Sequence, residues 1–543
     1  MLRTYRTMKR RTLVSACLLL LGTQADVDAQ TLPAQAQQQP AQRTDRYYDQ
    51  RQAPPAPGRT ADPLPASTAP ARATVQSDVR FVLTSVTFDH SAFLDDDAVR
   101  AVAQPYTGKE VGAAELNAIV DGVNALYAAK GISTARAVLG KQGVVDGVVH
   151  VDLVEGHLGA VRIQGNHRTR EAFVRRRIHA QEGELFDANA LRDDLVYLNR
   201  TTSLHGAALL QPGASRGMTD LLVDVTEPAP RSFDAFVDNA GVDTSGTTRV
   251  GVQGHAEGLL GVSDRLDLSI AKARGGTDGS LSYAAVVTPS NGMLGASYSR
   301  SQIDIVNGAY RDLDIVGHSS VAALNFTQPF IANQRWLFEG TASYSHAKSS
   351  TDIAGTSVAD ITTNGLGVGI LLNHRVEGRE WTLTQSVTHL NSDQPIADAG
   401  SFLTATGSFD GVQRLGGAWA LRLGAGWQYT SKDALPSSSL FQLGGVGSVR
   451  GYDRGIVAGT RGYFLDLELH RQVGAADLYA FADHGAVFAA FPRDRQITGG
   501  GLGVLWNFRH WLSFNGDVAH AFTKVIPGQD NWRVDFRAAV HWE

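Results

Sequence analysis

The chain has 543 residues and a formal net charge of −5. It is too long for one ordinary domain, and it lacks the basic excess expected of a protein that binds nucleic acid. Because no apolar run approaches the ~20 residues of a membrane helix, any insertion into a bilayer must use strands.

The first 29 residues have the pattern of a secretory signal peptide. A basic stretch precedes the apolar run from Leu13 to Gly22, and small residues follow as far as Ala29, where we expect cleavage. The single cysteine, Cys17, follows a sequence that resembles a lipoprotein box, but lipidation there would leave an apolar core of only a few residues. The mature chain would then contain no cysteine, so we expect neither disulfides nor a cysteine-ligated metal site.

Residues 30–78 are rich in alanine, glutamine and proline, which is typical of an extended linker. Within this segment, Ala41 to Gln52 has the composition of a short polar helix. A polar helix that precedes a barrel could lie in its lumen as a plug, and plain disorder is the alternative. The sequence leaves both open.

Residues 79–156 and 157–228 predict two small α/β domains with the same element order of strand, helix, helix, strand and strand. The first domain is expected to contain the strand Phe81 to Phe88, a helix whose apolar stripe ends before Gly131, and two further strands at Ala135 to Leu139 and Val148 to Val154. The second repeats this order, with strands at 160–164, 207–211 and 221–225, a helix around 172–179 and a helix after Asp187.

Short motifs in this tandem resemble those of the polypeptide-transport-associated (POTRA) domain. They are Tyr127-Ala-Ala-Lys-Gly131 after the first domain's helix, Val154-Glu155-Gly156 at the junction, and Leu210-Gln-Pro-Gly213 with Gly217 and Asp220 in the second domain. The resemblance implies POTRA domains at 79–156 and 157–228, with Gly131, Pro212, Gly213 and Asp220 as signature residues. It also implies that the tandem is the periplasmic arm of an outer-membrane polypeptide transporter.

The remaining residues, 229–543, alternate between apolar and polar side chains. From Trp532 to Trp542 every second residue is apolar, and similar segments recur upstream, for example from Trp419 to Tyr429. A soluble sandwich could explain any one strand, but many such strands with tryptophans at their ends favour a transmembrane β-barrel. At about 20 residues for each strand and its connection, we expect about 16 antiparallel strands.

One connection in the predicted barrel is unusually rich in glycine. Between about residues 431 and 461 it contains Gly444-Gly-Val-Gly-Ser-Val449-Arg450-Gly451-Tyr452, which could present one guanidinium at the tip of a tight fold. The alternative is a solvated outer loop. The segment resembles the VRGY signature of two-partner secretion transporters and of the related barrel insertases, which implies a loop that folds back into the barrel.

A second motif, Phe481-Ala-Asp483-His-Gly485, is similar to the F-x-D-x-G strand of the same family. By strand parity Asp483 should face the lumen, where the resemblance implies that it pairs with Arg450. Asp466 and Glu468 on the preceding strand are the alternatives. Asp483 could instead only solvate the channel. Nearby, the glycines at 499–501 indicate a place where a strand bends or a neighbouring segment packs closely.

No nucleophile, metal or nucleotide motif stands out, so we expect neither an enzyme nor a cofactor. The resemblance implies the outer-membrane pore of a two-partner secretion system, whose periplasmic domains recognise one large, extended β-rich exoprotein of the adhesin or haemolysin kind. Outer-membrane lipids, lipopolysaccharide and the barrel-assembly machinery would be its other partners, and the barrel would be monomeric. The alternatives are a general barrel insertase, a passive porin and a hydrolase anchored by a barrel.

Overall fold

The computed structural model describes residues 43–49, 63, 79–132, 135–140, 142–214, 218–393, 400–490, 493–508 and 511–542. The predicted signal peptide, most of the predicted linker and Gly217 lie outside these residues. The chain forms two compact units. One contains the helix at residues 43–49, named α1, and most of the chain after residue 229; the other spans residues 60–228 with 260–262. Among the described residues, no helix is long and apolar enough to cross a membrane.

The α/β unit begins with a three-stranded sheet and two helices. Its sheet has the order β2, β5, β4, with β2 parallel to β5 and β4 antiparallel to it. The elements are β1 (Phe81–Val82), β2 (Ser85–Phe88), α2 (Asp96–Ala103), β3 (Glu110–Val111), α3 (Ala113–Ala129), β4 (Arg136–Val138) and β5 (Val148–Val154), with a 3₁₀ turn at Gln104–Tyr106.

The second half of this unit repeats that topology. Its sheet has the order β6, β8, β7, again with a parallel and an antiparallel pair. The elements are β6 (His157–Gln164), α4 (Glu171–Arg175), α5 (Ala188–Thr201), β7 (His205–Pro212) and β8 (Met218–Thr226). The predicted tandem of α/β domains is therefore present. Helix α4 is shorter than predicted, because Arg177 and Ile178 donate to carbonyls three residues back, as in a tighter 3₁₀ turn.

The single strand predicted from Phe81 to Phe88 is wrong. The chain forms β1, which pairs with β3, and then β2, which pairs with β5. The change of partner occurs at two residues: the Leu83 amide donates to the Lys109 carbonyl at 3.0 Å, and the Thr84 amide donates to Gly147 at 2.8 Å. The apolar alternation continues across this change, so the sequence pattern did not reveal it.

The strand-rich unit is a closed antiparallel barrel of sixteen strands, as the sequence predicts. The strands in order are β9 (Arg231–Asp238), β10 (Arg249–Glu257), β11 (Arg265–Ala273), β12 (Gly276–Val286), β13 (Met293–Asp304), β14 (Ile315–Ala332), β15 (Trp336–Ile353), β16 (Thr356–Val376), β17 (Arg379–Ser392), β18 (Ser401–Gly416), β19 (Trp419–Tyr429), β22 (Arg461–Val473), β23 (Ala476–Phe488), β24 (Arg495–Asn507), β25 (Leu512–Ala521) and β26 (Trp532–Trp542). Two short strands, β20 (Phe441–Leu443) and β21 (Val457–Gly459), lie in the connection between β19 and β22 and form a separate sheet.

Alternate side chains of the barrel face two different environments. On β26, Trp532 and Val534 are 65% and 58% exposed on the outer face, whereas Asp535 and Arg537 are nearly fully buried in the interior. An apolar outer face with charged residues turned inward is the pattern of a transmembrane barrel. The closing pair is β26 with β9, where Arg537 lies opposite Asp238. The structure thus confirms the predicted barrel.

Candidate lumenal site

The connection between β19 and β22 folds into the barrel interior. It contains the hairpin of β20 (Phe441–Leu443) and β21 (Val457–Gly459) and a 3₁₀ turn at Ser437–Ser439. Gly444 and Gly445 have φ values of +110° and +84°, a region that favours glycine, and they start the reversal at the hairpin's end. Residues 444–452 are buried except Gly447, which is half-buried. A solvated outer loop would not have this burial.

Arg450 at the tip of this connection contacts two carboxylates. Its Nε and Nη2 donate to the two oxygens of Asp483 at 2.7 and 2.6 Å, and its backbone amide also donates to Asp483 at 2.9 Å. Its Nη1 donates to Glu468 at 2.5 Å. The three side chains are at most 1% exposed. A guanidinium suits this arrangement because its planar fork can serve two acceptors at once.

Of the carboxylates that the sequence offered as partners, the structure brings Asp483 and Glu468 to Arg450. Asp466 lies directly opposite Asp483 across the β22–β23 pair, but no hydrogen bond or ion pair joins it to Arg450 among the described residues. Asp483 therefore does more than solvate the channel, since both of its oxygens accept from one guanidinium. The folded-back loop thus places the Arg450 guanidinium between the carboxylates of Asp483 and Glu468.

Other side chains hold this ion cluster in place. The Phe481 ring lies 3.6 Å from the Arg450 guanidinium carbon, which is a close cation–π contact. His470 lies 3.0 Å from Glu468 and 3.0 Å from Asp477, so it links the second carboxylate to the next strand. Removing one member of such a buried cluster leaves an uncompensated charge, at a typical cost of about 3–5 kcal/mol.

The other residues of the VRGY motif hold the loop against neighbouring parts of the barrel. Val449 is fully buried in an apolar cluster with Leu443 and Ile497. The hydroxyl of Tyr452 donates to the Thr498 carbonyl at 2.7 Å and accepts from the Thr523 amide at 3.0 Å. Gly451 has a φ of +89°, so a side chain there would be strained. These contacts tie the loop to β24 and to the connection after β25.

Two strand glycines leave room for the loop. A Cβ on Gly485 would lie 2.8 Å from a Leu443 side-chain carbon and 3.2 Å from Val449, and a Cβ on Gly499 would lie 2.1 Å from the Arg450 carbonyl oxygen. The glycines at residues 499–501 indicate in the sequence a strand bend or a closely packed neighbour. The structure identifies that neighbour at Gly499 as the loop backbone itself.

Substituting Gly499→Ala should therefore displace the loop without unfolding the barrel. The added carbon meets backbone rather than a flexible side chain, and such overpacking costs about 1–3 kcal/mol. We expect trypsin to cut at Arg450 or Arg454 faster in outer-membrane vesicles that carry this variant. Gly279→Ala is the matched control, because the nearest atom to its added carbon is 3.9 Å away. Equal protection of both variants would contradict the packing argument.

Helix α1 packs directly on the loop. A Cβ on Gly447 would lie 3.0 Å from the Arg43 Cβ, so the two backbones are in close approach. Arg43 donates to the Gln442 carbonyl at 2.6 Å, and the Tyr47 hydroxyl accepts from Arg450 at 3.3 Å. Within the predicted segment from residue 41 to 52, residues 43–49 are thus helical and contact the lumenal loop.

The same helix contacts the closing strands of the barrel. Asp45 accepts from Arg249 at 2.9 Å and from Arg537 at 2.8 Å, and both arginines also donate to Asp238. Asp238 is on β9, Arg249 on β10 and Arg537 on β26, so this second ion cluster spans the seam where the barrel closes. The Tyr48 ring lies 4.1 Å from the Arg537 guanidinium carbon.

The sequence pattern did not reveal this second ion cluster. The alternation along β26 predicted that Arg537 faces the lumen. The other members of the cluster, Asp238, Arg249 and Asp45, however, lie far from it along the chain. The contact between Arg537 and Asp45 joins residues 492 positions apart. Only a closed barrel with α1 inside it brings these residues together.

The POTRA signature residues occupy structural positions in the α/β unit. Gly131 has a φ of +73° just after α3, and the Gly213 amide donates to the Met218 carbonyl in the β7–β8 turn, directly after Pro212. Asp220 on β8 accepts from the Ala160 amide at 2.9 Å. These residues shape turns and pairings.

Two of the quoted POTRA motifs meet in space. The Tyr127 hydroxyl donates to Glu155 at 2.9 Å, and Ser91 donates to the same carboxylate oxygen at 2.5 Å. Burial raises the pKa of Tyr127, and the adjacent carboxylate supports the shift, so the hydroxyl stays protonated and continues to donate. The pair fixes the end of α3 against the domain junction.

One group of side chains in this unit has the composition of a metal site. The potential ligand atoms of Asp89, His150 and Asp152 lie within 4.8 Å of one another. His150 is hydrogen-bonded through Nδ1 to Thr87 and through Nε2 to Asp89, and the carboxylates are partly or fully exposed. These hydrogen bonds account for the arrangement of the three side chains without a metal ion, and we assign no metal to this group.

Comparison with known proteins identifies the family of this chain. Residues 217–505, more than half of the chain, match the haemolysin secretion/activation protein family ShlB/FhaC/HecB, and residues 81–156 match the ShlB-type POTRA domain. The chain belongs to this family. It is an outer-membrane transporter of a two-partner secretion system.

Several relatives and solved structures are similar over most of the transporter. The outer membrane transporter CdiB of Dickeya dadantii is 24% identical over 80% of this chain and 81% of its own, and the heme/hemopexin transporter HuxB of Haemophilus influenzae is 22% identical over 74% of each. The structure of CdiB from Escherichia coli has a TM-score of 0.67 at 18% identity and covers 93% of this chain and 98% of its own. This structural likeness concerns the fold.

Family membership also fixes the location of the transporter. Its barrel is in the Gram-negative outer membrane and its POTRA domains are in the periplasm. Members of the family are transporters, and each works with a secreted exoprotein. The barrel strand β9 follows the periplasmic domains directly, so it runs from the periplasmic to the outer side, and successive strands alternate in direction.

Proposed function

We propose that the transporter exports one large β-rich exoprotein, of the adhesin or haemolysin kind, as an unfolded chain through its barrel lumen. The observation that supports this most strongly is the way in which the lumen is filled. Both the loop and α1 are held there by ion pairs and polar contacts. The polar contacts can exchange for water when the two segments leave, and the loop then also gives up its apolar contacts with the cluster that contains Leu443, Val449 and Ile497.

In this proposal the Arg450 loop and α1 close the resting channel together. Arg450 joins the loop to β22 and β23, and Asp45 joins α1 to β10 and β26. Because Tyr47 and Gly447 connect α1 with the loop, release of one segment weakens the hold on the other. The exoprotein then passes through the vacated lumen.

We propose that the POTRA domains capture the exoprotein by adding its backbone to an exposed sheet edge. Strands β4 and β7 are edges of their sheets. On β7, the Ala208 amide donates to the Pro63 carbonyl at 2.8 Å, so this edge already accepts a residue of the chain's own linker. An extended exoprotein segment can use the same kind of backbone bond.

The sequence shows no nucleotide-binding motif, and the periplasm contains no ATP. Nucleotide hydrolysis would therefore not drive export. Folding of the exoprotein outside the cell would instead provide direction, because a folded β-rich domain cannot return through the lumen. The chain would not be an enzyme, and it would need no cofactor. The barrel-assembly machinery would insert it as a monomer among outer-membrane lipids and lipopolysaccharide.

A general barrel insertase of the same superfamily is the second candidate. The structure of BamA from Haemophilus ducreyi, lacking POTRA domains 1–3, has a TM-score of 0.52 at 16% identity, which is a likeness of fold alone. The two α/β domains and the preceding proline-rich segment favour the exporter. A passive porin is less favoured, because α1 and the Arg450 loop occupy its channel.

Deleting the gene and comparing the secreted and outer-membrane proteins by quantitative proteomics tests the proposal. We expect one very large protein to disappear from the culture supernatant while the other barrel proteins remain unchanged. That result would also identify the cargo. A general fall in barrel proteins would instead indicate an insertase, and an unchanged supernatant would contradict export.

A further inference from the structure

The outer face of the barrel between β11 and β15 has an apolar band. Leu268, Tyr298, Leu324 and Tyr344 are each about half exposed there, with exposed fractions of 48%, 50%, 52% and 47%. Residues paired directly across two neighbouring strands point to the same side of the barrel. The strand pairing therefore identifies which residues of each neighbouring strand also face outward. In the membrane this band contacts lipid tails.

Three cations lie on the same outer face, beyond the outer end of that band. Lys348 lies opposite Ser320, and Ser320 lies opposite Arg300. Lys272 belongs to the next row, opposite Thr277. All three cations are exposed. With strands about 4.8 Å apart, the Lys348 and Arg300 Cα atoms are about 10 Å from each other, with only Ser320 between them.

The position of Lys348 along the membrane normal follows from strand geometry. Trp336 lies at the periplasmic end of β15 on the same outer face, where its ring contacts that of Trp381. Lys348 follows twelve residues later on β15. At about 3.3 Å per residue and a tilt of about 40°, this is roughly 30 Å along the membrane normal. The apolar band of such barrels is about 25 Å tall, so Lys348 reaches the headgroups of the outer leaflet.

Arg300 and Lys348 have no hydrogen bond or ion pair with any residue that the structure describes, and Lys272 contacts only the Thr277 hydroxyl. Other cations near the outer rim behave differently: Arg461, for example, pairs with Asp433 at 2.9 Å. Asp360 is on the same outer face, diagonally beyond Lys348, but it makes no ion pair with it. Two long cationic side chains at headgroup depth therefore lack an anionic partner among the described residues.

We propose that Arg300 and Lys348, with Lys272 beside them, bind the phosphate groups of a phosphorylated glycolipid of the outer leaflet, namely lipopolysaccharide. A guanidinium and an ammonium group match phosphate oxygens in charge and donor geometry. Ser320 leaves space between them and can donate a further hydrogen bond. This inference depends on the outer-membrane location and is independent of the export mechanism.

The test is a binding measurement on the purified full-length transporter in neutral detergent. Lipopolysaccharide is titrated and the bound fraction is measured by native mass spectrometry, with dephosphorylated lipopolysaccharide and phosphatidylglycerol as comparison ligands. Each cation near an anionic surface contributes about fivefold in affinity. The double variant Arg300→Ala with Lys348→Ala should therefore bind lipopolysaccharide roughly 30-fold more weakly.

Two control variants make the result specific. Arg471→Ala removes an outer-face cation at the opposite, periplasmic end of the barrel, where Arg471 lies over the Trp419 ring, and it should bind as the wild type does. Arg300→Lys with Lys348→Arg keeps both charges and should retain binding. Heat-modifiable mobility on gels verifies folding of each variant.

Three outcomes would overturn the inference. Equal binding by the double alanine variant would exclude these cations as the site. Equal affinity for dephosphorylated lipopolysaccharide would exclude phosphate as the recognised group. Equally tight binding of phosphatidylglycerol would indicate a general preference for anionic lipids. None of these outcomes bears on export, so failure here and failure of the proposed function are separable.

Discussion

Arg450→Ala should abolish most export while the barrel remains folded in the outer membrane. The substitution removes the only cation that contacts both Asp483 and Glu468 in the described site, and leaves those carboxylates buried at 0% exposure. At about 3–5 kcal/mol, the loss lowers occupancy of the docked loop by a factor on the order of 10²–10⁴. The permanently undocked loop then obstructs the channel, whereas in the proposed cycle the loop leaves the lumen as a unit while the exoprotein passes.

The measurement is the amount of exoprotein in the supernatant, normalised to folded transporter in the outer membrane. Arg450→Lys should be almost as defective, because an ammonium group cannot replace the three guanidinium nitrogens that donate to two carboxylates and to Tyr47. The matched control is Arg461→Ala, whose ion pair with Asp433 is solvent-exposed and worth about 0–1 kcal/mol. Normal export by the Arg450→Ala variant would refute a role for this contact.

A disulfide between α1 and the loop should lock the transporter reversibly. In the variant Arg43→Cys with Gly447→Cys, the two Cβ atoms would start about 3.0 Å apart, slightly closer than the usual separation, so a small shift of α1 permits the bond. The only native cysteine is Cys17, in the predicted signal peptide, so no other thiol competes. We expect oxidation to stop export and to keep channel conductance low.

Reduction of the same sample should restore export, which separates a lock from a folding defect. The two single-cysteine variants, oxidised in parallel, control for the loss of the Arg43 contacts and of the glycine. If the oxidised double variant exports at the rate of its reduced form, the prediction of a lock is wrong, and α1 and the loop leave the lumen without separating from each other.

The parity of the barrel strands could be determined from the sequence because it depends on neighbours along the chain. Water on one side and lipid on the other impose alternation with a period of two, which made Asp535 and Arg537 inward-facing and Trp532 and Val534 outward-facing. The same local logic placed Asp483 in the lumen. The strand count followed from chain length, and the α/β tandem followed from its repeated element order.

The family resemblance, rather than periodicity, brought Arg450 and Asp483 together before the structure did. Parity by itself could not choose among Asp483, Asp466 and Glu468, since all three face inward. Which of them reaches the guanidinium depends on the path of the folded-back loop. Gly444, Gly485 and Gly499 set that path through close backbone approaches that a sequence pattern does not encode.

The sequence by itself thus determined the fold class and the inward or outward face of those strands in which the alternation is clear. Only the tertiary structure decided that Glu468 is a second partner of Arg450 and that Asp45 bridges the closing strands through Arg249 and Arg537. The physical reason is distance along the chain. Local periodicity records which environment a side chain faces, whereas an ion pair between residues hundreds of positions apart exists only once the barrel has closed around α1 and the loop.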